Sequence, residues 1–110
     1  MPKVTKRRTV VRITCGKTSC KVSRAFVLTR PGGRIWFANR TGADIHVHIS
    51  EKRLCGDDRF TIAKGQEKSI LIRKVQRGFY PYAVFCDCCG KFCTGSSMPI
   101  IIIPKSSAPY

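Results

Sequence analysis

The sequence predicts an all-β domain, a β-sandwich of about seven to eight short strands. Apolar and polar residues alternate in short stretches, turn-forming segments recur about every eight to twelve residues, and no segment sustains the apolar period of a helix. The chain has 110 residues, of which 43% are hydrophobic. These values are typical of one domain that buries a single core.

The chain divides into three predicted parts. Residues 1–8 are expected to form a basic, flexible amino-terminal arm, residues 9–104 the single domain, and residues 105–110 a short tail. No apolar run approaches the about 20 residues of a transmembrane segment. The amino terminus also lacks the apolar core of a secretory signal, so we expect either a cytoplasmic protein or an exported one whose signal peptide has been removed.

The first strand and the one that follows it each carry a cysteine. Val11, Ile13 and Cys15 alternate with polar residues, which predicts a strand with one buried face. A turn follows, and residues 20–28 resume an extended pattern. Cys15 and Cys20 are therefore expected to face each other across the turn, either as two thiols or as a disulfide.

The other predicted strands, one of which spans residues 69–75, also alternate, and turns rich in glycine, proline or polar residues separate them. Residues 51–59 are polar and are predicted to form a loop. Pro104 ends the last strand, a run of β-branched residues. The residues expected to face the core are Ile35, Phe37, Ile45, Val47, Ile49, Ile70 and Ile72. Phe60 and Ile62 are expected to begin a short strand, and Ile100–Ile103 to form the last one.

Two histidines occupy the polar face of one of these strands. His46 and His48 lie two residues apart, so they project from the same side, opposite the aliphatic residues that pack inward. A pair at this spacing either chelates a metal ion or forms part of an exposed polar face without a ligand.

The strand that begins at Gly78 leads into a cysteine-rich loop, the segment on which the functional prediction depends. It presents four thiols within eight residues, followed by a thioether. Such soft ligands favour Cu(I), whereas a tetrahedral set of four thiolates suits zinc. Nearby Lys91 and Arg77 are expected to favour thiolate over thiol. The candidate ligands are Cys86, Cys88, Cys89, Cys93 and Met98.

Disulfide bonding is the main alternative to metal binding. The chain has seven cysteines, an odd number, so complete internal pairing would leave one unpaired. In an exported protein, disulfides would cross-link a small sandwich, whereas in the cytosol reduced or metal-bound thiols are expected. Cys55, in a polar loop, is a distant ligand, a disulfide partner or a single buried thiol. The sequence leaves these alternatives open.

The positive charge is concentrated in the first part of the chain. The net charge is +15, and residues 1–43 contain eleven Lys and Arg and no acidic residue. Such a segment attracts polyanions, namely nucleic acid or an acidic partner, or else forms only a solvated tail and sheet face. Self-repulsion at this charge favours a monomer. The candidate polyanion-binding residues are Lys3, Lys6, Arg7, Arg8 and Arg12.

Several segments, taken in order, resemble those of cupredoxins of the plastocyanin and azurin type. They are the glycine turn, apolar strand and asparagine of residues 31–39, the turn and strand of residues 64–72, the strand of residues 78–86 that ends in cysteine, and the exit of residues 95–103. The resemblance covers residues 22–104. It implies a cupredoxin-like Greek-key β-sandwich in which Cys86 takes the place of the copper-binding thiolate.

The resemblance also implies that the usual copper histidines are missing. Cys89 stands where a plastocyanin-type loop has histidine, and Asp44 and Ile45 stand near the position of the other histidine. A blue-copper centre needs two imidazoles beside one thiolate. The resemblance therefore indicates a soft-metal protein rather than a blue-copper electron carrier.

Two functions follow from the sequence. The first is a small protein that binds one copper or zinc ion through its cysteine loop. The alternative is a non-enzymatic basic binding module in which the cysteines are structural. An enzyme is not expected, because the sequence shows no nucleophile triad, phosphate-binding glycine loop or carboxylate pair.

Overall fold

The structure is a computed structural model that describes residues 9–16, 19–93 and 99–104. Within these ranges the chain forms ten strands and one 3₁₀ turn, Lys52–Leu54. No helix in the described ranges is long and apolar enough to cross a membrane. The strands are β1 Thr9–Cys15, β2 Cys20–Val22, β3 Phe26–Leu28, β4 Arg34–Asn39, β5 Ile45–Ile49, β6 Arg59–Ile62, β7 Glu67–Leu71, β8 Gly78–Cys86, β9 Lys91–Phe92 and β10 Ile100–Ile103.

The strands form two sheets, which confirms the predicted all-β sandwich. One sheet has the order β2-β1-β4-β7, and the other has the order β3-β10-β8-β5-β6, with β9 paired to β8. The pairs β1–β4 and β3–β10 are parallel, and the remaining pairs are antiparallel. The predicted arm and tail lie outside the described residues, so that division of the chain stays a prediction.

The core lies between the two sheets and is built by strand alternation. Phe37 of β4 and Tyr82 of β8 meet edge to face with ring centroids 5.6 Å apart. The Tyr82 hydroxyl donates a hydrogen bond to the carbonyl oxygen of Arg24 at 2.9 Å. The residues predicted to face the core are all buried, whereas Phe60, Ile100 and Ile102 of the other predicted strands are half-buried.

The structure differs from the prediction in three segments. Residues 20–28 form two strands in different sheets, because the chain leaves β1 after β2 and crosses to β10. Residues 51–59, predicted as a loop, contain the 3₁₀ turn, which buries Leu54, and the first residue of β6. The strand expected over residues 69–75 ends at Leu71, since the Arg73 N–H donates to the carbonyl of Leu54 instead of to β4.

Asn39, at the end of β4, ties the two sheets together through a buried amide. Its side-chain nitrogen donates to the carbonyls of Ala43 at 2.8 Å and Ile62 at 2.9 Å. Its side-chain oxygen accepts from the Thr41 N–H at 2.9 Å and from the Thr41 hydroxyl at 2.6 Å. All four hydrogen bonds that the amide can make are therefore satisfied, as a buried polar group requires.

Replacing Asn39 with alanine should destabilise the fold by about 2–4 kcal/mol, since each buried group left without a partner costs about 1–3 kcal/mol. Urea denaturation gives the free energy of unfolding. Gln66→Ala, at an exposed turn position, is the matched control and should change it by less than about 0.5 kcal/mol. Similar small losses for both variants would show that the amide does not tie the sheets.

Candidate metal centre

Six of the seven cysteines gather in two neighbouring groups supplied by two hairpins. The hairpin of β1 and β2 supplies two, and the hairpin of β8 and β9 with its turn supplies four. In each group the three sulfur atoms lie within 4.8 Å of one another. We call Cys20, Cys86 and Cys93 the inner trio, and Cys15, Cys88 and Cys89 the outer trio.

Strand alternation places two members of the inner trio side by side. Cys86, the last residue of β8, lies on the same inward face as Val84, and both are buried. The Cys93 N–H donates to the Val84 carbonyl at 2.7 Å, which continues the β8–β9 pairing and turns the Cys93 side chain inward. The sulfur atoms of Cys86 and Cys93 are 3.5 Å apart.

Cys20 completes the inner trio from the opposite sheet. It opens β2, is fully buried, and its sulfur lies 3.9 Å from the backbone carbonyl oxygen of Lys91. Because β2 belongs to the four-stranded sheet and β8 to the six-stranded sheet, the inner trio bridges the sandwich.

The outer trio contains the disulfide. Cys15, at the end of β1, is bonded to Cys88 in the turn after β8, and the half-buried thiol of Cys89 lies beside them. Cys15 stands directly opposite Cys20 in the β1–β2 register, as predicted. The disulfide partner of Cys15 is nevertheless Cys88, and Cys20 keeps a free thiol.

Burial raises the pKa of two members of the inner trio, Cys86 and Cys93. Loss of hydration, together with a hydrogen bond with Cys20, raises the pKa of Cys86 to about 12. Burial also raises the pKa of Cys93. These shifts oppose the direction predicted from Lys91 and Arg77. Lys91 approaches Cys20 with its backbone carbonyl, and its side chain is exposed.

The two histidines lie away from the cysteines, on the outward face that the alternation predicted, and their role as a metal-binding pair stays a prediction. Ile45 is the partner of Cys86 across β5 and β8, so His46 and His48 project from the other face of the sheet. Both ring nitrogens of His46 are engaged, with the Thr61 hydroxyl at 2.9 Å and an Asp87 carboxylate oxygen at 3.0 Å.

The remaining candidate residues are placed as follows. Cys55 belongs to neither trio, and its free thiol donates to the Asp57 carbonyl at 3.3 Å. Met98 lies outside the described residues. So do Lys3, Lys6, Arg7 and Arg8, and Arg12 is exposed on β1. The polyanion-binding surface therefore stays a prediction.

Sequence reasoning grouped the four loop cysteines in one set, whereas the structure divides them between the two trios. The alternation of side chains along β8 and its pairing with β9 direct Cys86 and Cys93 inward, whereas Cys88 and Cys89 lie in the turn of residues 87–90. Gly90, with φ of 66°, allows this tight turn. Cys15 and Cys20 were missed as partners of this loop, because their predicted pairing across a turn does not indicate which other segment they contact.

The comparisons with known proteins bear on the fold. No protein-family model matches the chain, and no curated protein sequence matches it. A solved Cu(I) form of an amicyanin variant at pH 4 superposes with a TM-score of 0.59 at 19% identity, covering 93% of this chain and 87% of that one. An oxidised amicyanin variant gives a TM-score of 0.57 at 18% identity, with the same coverage.

Amicyanin is a cupredoxin. The fold is therefore cupredoxin-like. This confirms the fold that the resemblance implied, including the sandwich over most of the chain. At a sequence identity below 20%, the similarity to amicyanin shows a shared fold and does not show that the two proteins share metal ligands.

The residues of this cupredoxin-like domain do not fit a blue-copper centre. Such a centre needs two imidazoles beside a thiolate. Cys86 ends its strand as the resemblance implied, but Ile45 is its buried neighbour, and neither trio contains a histidine in the part of the chain that the structure describes. The trios instead offer sulfur ligands alone.

The raised thiol pKa values predict how stability depends on pH. A pKa that folding raises gives a contribution that is complete below the ordinary value of about 9 and is lost as the pH rises toward about 12. The free energy of unfolding of the metal-free protein should therefore fall over this range. We expect a smaller fall for Cys86→Ala/Cys93→Ala, as measured by urea denaturation without oxygen.

Cys55→Ala is the control for that series, and its stability should fall with pH as steeply as that of the unsubstituted protein. An equally steep fall in the double variant would rule out the inner trio as the source of the pH dependence.

Proposed function

We propose that this protein binds one soft metal ion, Cu(I), through the three sulfur atoms of the inner trio. The observation that carries the proposal is the convergence of three cysteines, at the start of β2, at the end of β8 and directly after β9, with sulfur atoms within 4.8 Å of one another. Three sulfur atoms at this spacing can reach one ion between them.

The number of ligands favours Cu(I) over zinc. Structural zinc sites almost always have four protein ligands, whereas Cu(I) is a soft ion that thiolates select. In the described residues no fourth cysteine, histidine or carboxylate joins the inner trio. Amicyanin variants with this fold have been solved in Cu(I) form, which supports copper as the ion but does not transfer their ligands.

The protonation state of the trio sets the chemistry of binding. Because burial raises the pKa values of Cys86 and Cys93, these two residues are neutral thiols near pH 7 in the metal-free site. A bound soft ion replaces thiol protons, so binding releases protons and strengthens as the pH rises. The net charge of +15 is favourable for the anionic metal–thiolate group that results.

The burial of the trio suits retention of the ion. Cys20 and Cys86 have no exposed surface, and Cys93 is only partly exposed. Water and oxidants therefore reach the sulfur atoms mainly past Cys93. We infer a binding protein that stores, carries or senses Cu(I), rather than an enzyme or a blue-copper electron carrier.

Removing one sulfur of the inner trio should lower the affinity for Cu(I) at least about 100-fold, since even outer partners of metal ligands are worth about 10-fold to 100-fold. Cys20→Ser and Cys93→Ser test this. The measurement is competition with a Cu(I) chelator, with native mass spectrometry for stoichiometry. Trp36 fluorescence reports whether each variant is folded.

The matched controls carry substitutions outside the trio. Cys55→Ser removes a thiol that belongs to neither trio, and His46→Ala removes a predicted ligand on the other face of the sheet. Both should bind one Cu(I) with unchanged affinity. If folded Cys20→Ser and Cys93→Ser also keep full affinity, the inner trio is not the site.

A further inference from the structure

The outer trio combines a surface disulfide with a third sulfur atom. Cys88 is exposed, whereas Cys15 and Cys89 are half-buried. The disulfide joins Cys15 to Cys88, and the Cys89 thiol remains free. An exposed disulfide sulfur is accessible to attack by a thiolate from another molecule.

A cross-link alone does not account for this arrangement. Two cysteines suffice to join β1 to the turn after β8, yet the sulfur of Cys89 also lies within 4.8 Å of both. Cys89 is held in place by its N–H, which donates to the Cys86 carbonyl at 3.4 Å. The outer trio therefore has the same number and type of ligand atoms as the inner trio, with two of them engaged in a bond to each other.

We propose that the outer trio is a second Cu(I) site, closed while the Cys15–Cys88 disulfide is intact and opened by its reduction. The choice of ion rests on the proposed function, but the ligands are different residues. Their chemistry is the same, three sulfur donors that select a soft cation.

The opening reaction needs a dithiol as the reductant. One thiolate of the dithiol attacks the exposed sulfur of Cys88, which forms a mixed disulfide and releases Cys15 as a thiolate that takes up a proton. The second thiolate of the dithiol then displaces Cys88, which is protonated in turn. Two electrons and two protons pass from the dithiol to the protein, and the dithiol becomes a disulfide. Cu(I) then binds with release of thiol protons.

The geometry places the second site beside the first. Cys15 stands opposite Cys20 in the β1–β2 register, and Cys89 lies three residues after Cys86. Reduction would therefore double the capacity for Cu(I) without rearranging either hairpin. The protein therefore holds one Cu(I) ion under oxidising conditions and two under reducing conditions.

The test is a count of Cu(I) per chain by anaerobic native mass spectrometry. The full chain is prepared with the disulfide intact, or reduced with a dithiol that is removed by gel filtration, and Cu(I) is then supplied as its acetonitrile complex. Thiol titration should rise from five to seven on reduction. We expect one bound Cu(I) in the disulfide form and two in the reduced form.

Variants assign the second ion to its ligands. Cys89→Ser should bind one Cu(I) in both forms, since it leaves the inner trio intact, and Cys55→Ser should bind one and two as the unsubstituted protein does. One ion in the reduced protein, or two in the disulfide form, would overturn the gated site while leaving the inner trio standing. No ion in the disulfide form would overturn the proposed function itself.

Discussion

The alternation of side chains along β8 is the constraint on which both the core and the metal centre depend. Tyr82, Val84 and Cys86 share its inward face, and all three are buried. A slip of one residue would move Phe85 into the core and Cys86 to the surface, because the side-chain period of a strand is two. Two neighbouring strands, β5 and β10, hold this register along the length of β8.

The metal centre is thus an extension of the hydrophobic core. Cys20 and Cys86 belong to the same buried cluster as Phe37 and Tyr82, and Cys93 packs against it. Small apolar thiols fill this space well while they are protonated. The same burial that stabilises the metal-free fold therefore opposes ionisation of Cys86 and Cys93, and a soft metal ion is what makes their deprotonation favourable.

The alternation of apolar and polar residues predicts those features that depend only on residues close together in the sequence. The alternation around Ile45 and Val47 was sufficient to place His46 and His48 on the outer face, and Pro104 follows the last strand as expected. Which cysteines come together depends instead on how the two sheets assemble. Nothing in the spacing of Cys15, Cys20 and the loop indicates that β2 and β9 meet across the sandwich.

The direction of the thiol pKa shifts was mispredicted for the same reason. Lys91 is close to the cysteines in sequence, but its charge lies at the surface while its carbonyl faces Cys20. Burial, which dominates the shift at Cys86, is a property of the assembled sheets. Sequence proximity therefore identified Lys91 as a neighbour of the cysteines, but not that its carbonyl, rather than its charged side chain, faces them.

The Cys15–Cys88 bond spans 73 positions and closes most of the chain into a covalent ring. A protease that cuts once inside this ring, for example in the segment around Gly56, leaves two fragments that stay attached through sulfur. The nicked protein would migrate as a single species in a denaturing gel until a reductant is added. Reduction then determines whether such damage leads to separation of the fragments.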